Sequence, residues 1–200
     1  MSDLQIFDCE QGSPEWFACR LGIPTASRFK DVLAKGQGLT RKKYLYTLAG
    51  EILTGESAES YTNDHMERGK AMEPELRDRY AFQTGDDPVR VGFMRRGDVG
   101  CSPDSLLGED GLLEIKSKLP HLQLEVLDRG TLPPEHVAQV QGQLWISGRR
   151  YCKFVSGWPK LPLFVCRVER DDAYIATLAA EVEAFNHELR ATVRKYQEAA

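Results

Sequence analysis

The stretch from Cys101 to Lys118 reads CSPDSLLGEDGLLEIKSK and decides the expected fold. It predicts two strands joined by a turn, because residues 108–111 form a polar, glycine-containing connection between apolar runs. Alternate side chains of a strand share a face, so Glu114 and Lys116 are expected to project side by side. Folding the hairpin back would bring Asp104 against Glu114.

Two carboxylates and an ammonium at one strand end suit the metal-assisted hydrolysis of a phosphodiester. Hard oxygen ligands favour Mg²⁺ or Mn²⁺, such a metal polarises a phosphoryl oxygen, and a nearby lysine can orient or deprotonate the attacking water. The alternative is a surface hairpin with an ordinary Glu–Lys pair, which an E-x-K triplet alone often represents. The preceding Ser102-Pro103-Asp104 and the intervening turn favour the catalytic interpretation.

The composition predicts one intracellular globular domain. The 200 residues are 42% hydrophobic, which suffices for a full core, and no low-complexity linker divides them. No run of about 18 apolar residues occurs, and the first five residues lack the basic start and apolar stretch of a signal peptide. The five cysteines show no C-x-x-C spacing, which argues against a disulfide framework and a zinc ribbon.

The charge distribution is compatible with a basic channel in an otherwise acidic body. The formal net charge of -4 does not by itself indicate a nucleic-acid-binding protein. Between Arg20 and Lys43, however, seven basic residues accompany a single acidic residue, Asp31. A helix with solvated lysines is the alternative explanation.

Two short helices near the N-terminus offer groups that could grip a phosphate. They are predicted over Ser13–Arg20 and over Thr25–Leu33, the second ending before residues 36–38. Arg20 beside a helix break and Ser27 near a helix N-terminus combine a bidentate cation, a hydroxyl and free backbone N–H groups. The same residues are alternatively a helix cap and a surface arginine.

A third helix is predicted from Thr40, as its cap, to Gly55. Arg41, Lys42 and Lys43 lie in its first turn, where cations run against the helix dipole. A phosphate partner would explain these cations, and a solvated helix end is the alternative.

A long helix ending at Gly85 contains the third candidate carboxylate, Glu73. This residue shares a helical stripe with Leu76 and Tyr80, so it interrupts the face that should be buried. Burying an unpartnered carboxylate costs several kcal/mol, so Glu73 needs a cation, a metal or a water-filled cleft beside it. Pro74 directly after it predicts a kink. A peripheral, partly wet Glu73 is the alternative.

The remaining elements alternate between strands and helices. They are a strand over Val89–Arg96, helices over His121–Leu127 and Glu135–Trp145, paired strands over Tyr151–Trp158 and Leu163–Val168, and an amphipathic last helix after Asp171-Asp172. In the second of these helices, a glutamine near the strand end could hydrogen-bond a phosphodiester or the attacking water, although most such glutamines face solvent.

Together these features resemble the phage-type alkaline exonucleases of the lambda exonuclease, or YqaJ-like viral recombinase, family, which has the PD-(D/E)xK nuclease core. The resemblance covers nearly the whole chain. It rests on five motifs in the same order, namely Trp16–Gly22 with Thr25–Ser27, Arg68–Glu75, Ser102–Asp104, Leu113–Lys116 and Ala138–Trp145. It implies an α/β fold with a restriction-endonuclease-like core, in which a mixed central β-sheet is flanked by helices.

The resemblance also implies roles for the residues at the matching catalytic positions. Asp104 and Glu114 would bind two Mg²⁺ or Mn²⁺ ions together with the Ile115 carbonyl. Glu73 would hold a metal-bound water, and Lys116 would activate the nucleophile.

The resemblance further implies a pocket for the 5′-terminal phosphate. Arg20 and Ser27 match the family's phosphate-binding positions. Arg28, Ser102 and Lys42 are further candidates for binding DNA.

The family pattern implies a processive 5′-to-3′ exonuclease on linear double-stranded DNA with a 5′-phosphate, leaving a 3′ single-stranded overhang for recombination by strand annealing. It implies a ring-shaped homotrimer, a single-strand annealing protein as partner, no membrane, and a phage or prophage protein in the bacterial cytoplasm.

Gln139 matches a glutamine at the family's active site. Within the single domain 1–200, residues of about 1–60 would bind the DNA end, about 61–170 would form the catalytic core, and about 171–199 would form a C-terminal helix.

The chain departs from the family pattern at two places, and two other functions stay open. Ser105 stands where glycine is common, and Ser117-Lys118 stands where Cys-Pro or Ser-Pro often follows the motif lysine. One alternative is a related nuclease of different polarity, either an endonuclease or the iron–sulfur type that trims ends; the latter needs a late cysteine cluster, whereas only Cys152 and Cys166 lie late in this chain. The other alternative is a non-catalytic DNA-end-binding subunit, although all four catalytic positions are filled.

Overall fold

The computed structural model describes residues 3–34, 39–58 and 64–199, without the side chains of residues 64–66 and 70. Its helices are α1 (Pro14–Arg20), α2 (Phe29–Val32), α3 (Leu39–Thr54), α4 (Asp64–Thr84), α5 (Pro120–Arg129), α6 (Val137–Ser147) and α7 (Asp172–Gln197). Its strands are β1 (Leu4–Phe7), β2 (Pro88–Val89), β3 (Phe93–Arg96), β4 (Val99–Cys101), β5 (Ser105–Leu107), β6 (Gly111–Ser117), β7 (Tyr151–Gly157) and β8 (Phe164–Glu169). None of the helices in these ranges combines the length and apolar character required to cross a membrane.

A five-stranded mixed sheet forms the centre of the molecule, in the order β2-β5-β6-β7-β8. Strands β6 and β7 are parallel, and the other neighbours are antiparallel. A parallel pair needs a crossover, which here contains α5 and α6. The edge strand β2 has only two residues, and the first is Pro88, which has no amide hydrogen to donate. The mixed central sheet flanked by helices is the architecture that the sequence predicted.

The alternation of side chains along β6 separates two apolar layers. Leu112 packs with side chains of α5 and α6 on one face of the sheet. Leu113 and Ile115 pack on the other face with Leu76 and Tyr80 of α4. Because the strand alternates, Glu114 shares the face of Leu112 and points towards α6.

A second sheet has three antiparallel strands in the order β1-β3-β4. The single strand predicted over Val89–Arg96 is wrong, because its start belongs to β2 in the first sheet and its end to β3 in the second. The chain crosses from one sheet to the other at Gly92, between β2 and β3. A Cβ atom on Gly92 would lie 2.4 Å from the carbonyl oxygens of Phe7 and Cys9, so only glycine allows β1 to approach this closely. Helices α2, α3, α6 and α7 contribute to the apolar cluster beside this sheet.

Two further predictions need correction. The helix predicted over Thr25–Leu33 is a 3₁₀ turn, Ala26–Arg28, followed by α2. Thr40 lies inside α3, which starts at Leu39, so it is not the cap. The predicted long helix is α4, which continues through Pro74, and the kink expected there stays a prediction. The stop predicted at residues 36–38 lies outside the described residues.

The C-terminal helix follows its prediction closely. Asp171 caps α7 by accepting a hydrogen bond of 2.9 Å from the amide of Tyr174. Its apolar stripe is buried through five residues, namely Leu178, Val182, Phe185, Leu189 and Val193. This stripe packs α7 against α3 and α6.

Candidate active site

The hairpin of β5 and β6 places Asp104 beside Glu114. The amide of Asp104 donates to the carbonyl of Leu113 at 3.1 Å, which continues the ladder by one residue beyond β5. The amide of Ile115 donates to Asp104 Oδ2 at 2.5 Å. The Asp104 carboxylate is therefore fixed against the backbone next to Glu114, as the turn at residues 108–111 predicted.

Glu114 is a buried carboxylate that receives three side-chain contacts. Its exposed fraction is 1%. Oε1 accepts a hydrogen bond of 2.6 Å from Gln139 Nε2 and lies 2.5 Å from Lys116 Nζ. Oε2 accepts a hydrogen bond of 2.6 Å from Gln143 Nε2. Such contacts are needed because a buried charge without partners is strongly destabilising.

The charges in this cluster shift two pKa values upward. Burial raises the pKa of Asp104 well above its ordinary value, and the negative charges of Glu114 and Glu73 raise it further. Burial alone would lower the pKa of Lys116, but the carboxylates of Glu114 and Asp104 outweigh burial and raise it. Lys116 is therefore an ammonium in this environment, and negative charge has accumulated around Asp104.

Arg77 is the cation beside Glu73, and the sequence interpretation missed it. Arg77 is 8% exposed, and its Nη2 donates both to Glu73 Oε1 and, at 3.3 Å, to the carbonyl of Asp104. Its Nε donates at 3.0 Å to the hydroxyl of Ser105, which itself donates to the Asp104 carbonyl at 2.6 Å. The i,i+4 spacing of Glu73 and Arg77 on α4 is the signal that could have identified this pair.

Asp104 and Glu114 fit a divalent cation. Both provide hard oxygen donors of the kind that Mg²⁺ and Mn²⁺ prefer. Burial raises the pKa of Asp104, and the negative charges of Glu114 and Glu73 raise it further; a bound cation would offset that charge. Within the ranges that the structure describes, no three carboxylate, imidazole or thiolate side chains are placed to enclose a metal. Backbone oxygen, for which Ile115 is the candidate, and water would have to complete the coordination.

Arg20 is connected to the loop that contains the candidate catalytic aspartate. Its guanidinium lies 3.7 Å from the centre of the Trp16 ring. The indole Nε1 of Trp16 donates to the hydroxyl of Ser102 at 2.8 Å. Ser102 directly precedes Pro103 and Asp104, so these contacts join two of the predicted DNA-binding residues to the cluster.

Arg20 and Arg28 line the same cavity, together with Thr25 and Tyr44. Arg28 lies 4.5 Å from the centre of the Tyr44 ring. Ser27 is exposed, and its hydroxyl lies 3.3 Å from that of Thr25. Thr25 is therefore a further hydroxyl that a phosphate at this cavity would meet.

Lys42 does not line this cavity. It lies exposed on α3, on a concave surface lined also by Leu39, Lys43, Tyr46 and Thr47, and Thr47 lines the cavity of Arg20 as well. Lys42 is therefore next to that cavity, and its role in binding DNA stays a prediction.

His136 and Lys118 form a polar contact near the cluster that the sequence interpretation did not assign. Lys118 Nζ lies 2.9 Å from His136 Nε2 and 3.2 Å from Glu135 Oε1. Burial, followed by the positive charges of Lys118 and Lys116, lowers the pKa of His136 to about 3. His136 is therefore a neutral ring that accepts a hydrogen bond from Lys118.

Most helix glutamines face solvent, but those of α6 make hydrogen bonds inside the protein. Gln139 and Gln143 are one helical turn apart and both donate to Glu114. Gln141, on another side of the helix, donates to the carbonyl of Glu169 at 2.9 Å and accepts from the amide of Asp171 at 3.0 Å. The sequence interpretation selected Gln139 and not Gln143, although their i,i+4 spacing places both on one face.

Comparisons with known proteins agree on one family. Residues 15–150 match the family model of the YqaJ-like viral recombinase domain. The structure is similar to the crystal structure of an alkaline exonuclease (LHK-Exo) from Laribacter hongkongensis, with a TM-score of 0.85 and 39% identity over 94% of this chain and 100% of that chain. The LHK-Exo complex with dAMP gives a TM-score of 0.86 at 39% identity and the same coverage. No curated protein matches the sequence.

A more distant structure shares the fold. The phage-related exonuclease from Haemophilus somnus 129PT is similar with a TM-score of 0.67 at 12% identity, over 87% of this chain and 96% of that chain. At this identity the similarity establishes a common fold.

Proposed function

Because the chain belongs to the YqaJ-like viral recombinase family, whose membership supports a nuclease role, we propose that it is a Mg²⁺-dependent 5′-to-3′ exonuclease. Its substrate would be linear double-stranded DNA, of which it degrades one strand to leave a 3′ overhang. The observation that carries this proposal is the cluster at the end of β6 in which the partly exposed Asp104 and Lys116 meet the buried Glu114.

In the proposed reaction, Asp104 and Glu114 hold the divalent cations, two per site, with the Ile115 carbonyl. The cations would polarise the scissile phosphate and stabilise the charge that develops on its oxygens. Glu73, held beside Asp104 by Arg77, is the candidate to orient water at the site.

Lys116 and Gln139 both contact Oε1 of Glu114 and are the candidates to meet the attacking water. The raised pKa of Lys116 favours an ammonium, which can orient the attacking water and stabilise negative charge. It would become a general base only after the surrounding carboxylate charge is neutralised. Gln139 donates to the same oxygen and is placed to contact the water or the phosphodiester.

The 5′-to-3′ polarity is proposed from the cavity lined by Arg20 and Arg28. A terminal phosphate there would meet two guanidinium groups and the hydroxyl of Thr25. The chain from Arg20 through Trp16 to Ser102 would then fix the distance between the DNA end and Asp104.

The family resemblance also leads us to propose a homotrimeric ring, a single-strand annealing protein as partner, and action in the cytoplasm of a bacterial host. Sedimentation analysis tests the ring, because a trimer has three times the mass of the 22.6 kDa chain.

The deciding assay uses linear duplex DNA with a 5′-phosphate and a label at either end of one strand. With Mg²⁺, we expect early release of mononucleotides from the 5′-labelled end and late release from the 3′-labelled end. EDTA should abolish both. Early release from the 3′ end would indicate the opposite polarity, cleavage of closed circular DNA would indicate an endonuclease, and binding without release would indicate a non-catalytic subunit.

A further inference from the structure

The two oxygens of Glu114 lie in different surroundings. Oε1 contacts Gln139 and Lys116, whose side chain is 31% exposed, so this oxygen lies on the accessible side of the cluster. Oε2 contacts Gln143, which is 1% exposed. One oxygen is thus held in the interior and the other faces the groups that can meet a ligand.

We propose that Gln143 is a positioning residue that holds Glu114 by Oε2 and thereby directs Oε1 towards a bound divalent cation. A carboxylate only accepts hydrogen bonds, so the amide nitrogen of Gln143 is the group that faces it. A second partner of this kind fixes the orientation of a metal ligand. This inference rests on the proposed function, because it assigns Gln143 to the metal site of the nuclease.

Gln143 stabilises the buried charge of Glu114 through its amide nitrogen alone. Its Oε1 is buried and accepts no hydrogen bond within the described part of the chain. Leaving a buried acceptor unpaired is unfavourable, and an apolar side chain of the same length would avoid that cost. Gln141 on the same helix uses both of its amide atoms. The unpaired oxygen of Gln143 therefore lowers the stability of the core, and the interaction gained in return is the hydrogen bond to Glu114.

The test replaces Gln143 by methionine, which keeps its length and lacks the donor. Calorimetric titration with Mn²⁺ in the absence of DNA should give about tenfold weaker binding for Gln143→Met. The Mg²⁺ concentration that half-saturates nucleotide release should rise by a similar factor, and high Mg²⁺ should restore most of the turnover. The matched control, Gln141→Met, changes an equally buried glutamine of the same helix and should keep wild-type Mn²⁺ affinity even if it melts earlier.

The outcomes separate the inference from the proposed function. If Gln143→Met binds Mn²⁺ and responds to Mg²⁺ as the wild type does, the positioning role is wrong. If the wild type releases no nucleotides, the proposed function fails, whereas the Mn²⁺ titrations still decide the role of Gln143.

A measurement on the wild type covers the case in which the variant does not fold. The side-chain amide resonances of Gln143, assigned by triple-resonance NMR, should shift during a Mg²⁺ titration. Those of Gln141 should stay in place. Unchanged Gln143 resonances at saturating Mg²⁺ would overturn the inference.

Discussion

At the scale of single residues, the surroundings of Lys116 decide what its amine can do. It lies 2.5 Å from Glu114 Oε1, and neighbouring carboxylates raise its pKa. We predict that Lys116→Ala lowers nucleotide release by at least about a hundredfold, the lower range for a group that assists proton transfer. DNA binding, measured in EDTA by fluorescence anisotropy, should remain.

Lys118→Ala is the matched control for this prediction. This lysine lies two positions further along the chain, but its amine contacts His136 and Glu135 instead of Glu114. It should retain most of the turnover. Near wild-type turnover in Lys116→Ala would refute the role of Lys116.

The buried ring of His136 predicts a loss of stability in mild acid. Its pKa is lowered to about 3 in the folded protein, whereas an unfolded histidine titrates near 6.5. Between these values the unfolded chain binds a proton that the folded protein excludes, so stability falls as pH falls from about 6.5 towards 3. The change in the free energy of unfolding contributed by His136 is at most about 1.4 kcal/mol for each pH unit.

Urea unfolding of wild type and His136→Gln at pH 7 and pH 5 measures this effect. The variant should lose less stability over this interval than the wild type. His187→Gln, at an exposed position of α7, should follow the wild type. The raised pKa of Asp104 has the opposite sign, stabilising the folded state as pH falls, but it is common to all three proteins. Equal losses in wild type and His136→Gln would contradict the prediction.

At the scale of elements, Arg77 joins α4 to the start of β5 through Glu73, Ser105 and the Asp104 carbonyl. We predict that Arg77→Met lowers the free energy of unfolding by about 3 kcal/mol, because it leaves the carboxylate of Glu73 without its cation in a partly buried position. Equilibrium urea unfolding gives the value. A double-mutant cycle with Glu73→Gln should show that the two substitutions are not additive.

An exposed ion pair provides the control for Arg77. Arg190 lies 2.9 Å from Asp98, but both side chains are more than half exposed. Arg190→Met should therefore cost no more than about 1 kcal/mol. If both substitutions cost the same, the burial argument for Arg77 is wrong.

Elements whose signals are local could be predicted from sequence, and elements fixed by distant partners could not. The hairpin of β5 and β6 follows from the turn at residues 108–111 and from alternation in β6. The division of the run from Val89 to Arg96 depends on β1, whose partner positions lie about 90 residues away and whose approach requires Gly92. Gly92 is a signal within the run, because an isolated glycine in a strand pattern suggests a bulge or a close backbone approach, but it does not identify β1 as the partner.

The residues of the candidate site also fall into those that could be predicted from sequence and those that could not. Glu114 and Lys116 share a strand face, so their meeting could be predicted from spacing. Arg77 was not considered and only Gln139 was selected among the glutamines of its helix, although Arg77 and Gln143 each lie one turn from a selected residue. Lys42 belongs to the same basic segment as Arg20 but does not line its cavity, because sequence proximity alone does not bring two side chains to one cavity.

At the scale of the whole molecule, the cavity of Arg20 and the carboxylate cluster should act together on one DNA end. We predict that Arg20→Ala lowers the preference for a 5′-phosphate over a 5′-hydroxyl by about tenfold or more, the loss expected for one charged hydrogen-bond partner. Initial rates on the two kinds of duplex end measure this preference, and the average tract length per encounter should also fall.

Arg150→Ala serves as the control for Arg20, because Arg150 is exposed and pairs with Asp110 on the surface. It should keep the wild-type preference. Equal rates of the wild type on phosphorylated and hydroxyl ends would count against a phosphate pocket at Arg20.

The two-residue edge strand β2 limits how copies of this protein can associate. Pairing with a further strand requires a row of amide and carbonyl groups, and β2 offers only two residues, one of them Pro88. A neighbouring chain therefore gains few backbone hydrogen bonds by extending the sheet from this side, which disfavours edge-to-edge aggregation there. A closed assembly of subunits would have to avoid this edge and rely on side chains of other surfaces for its cohesion.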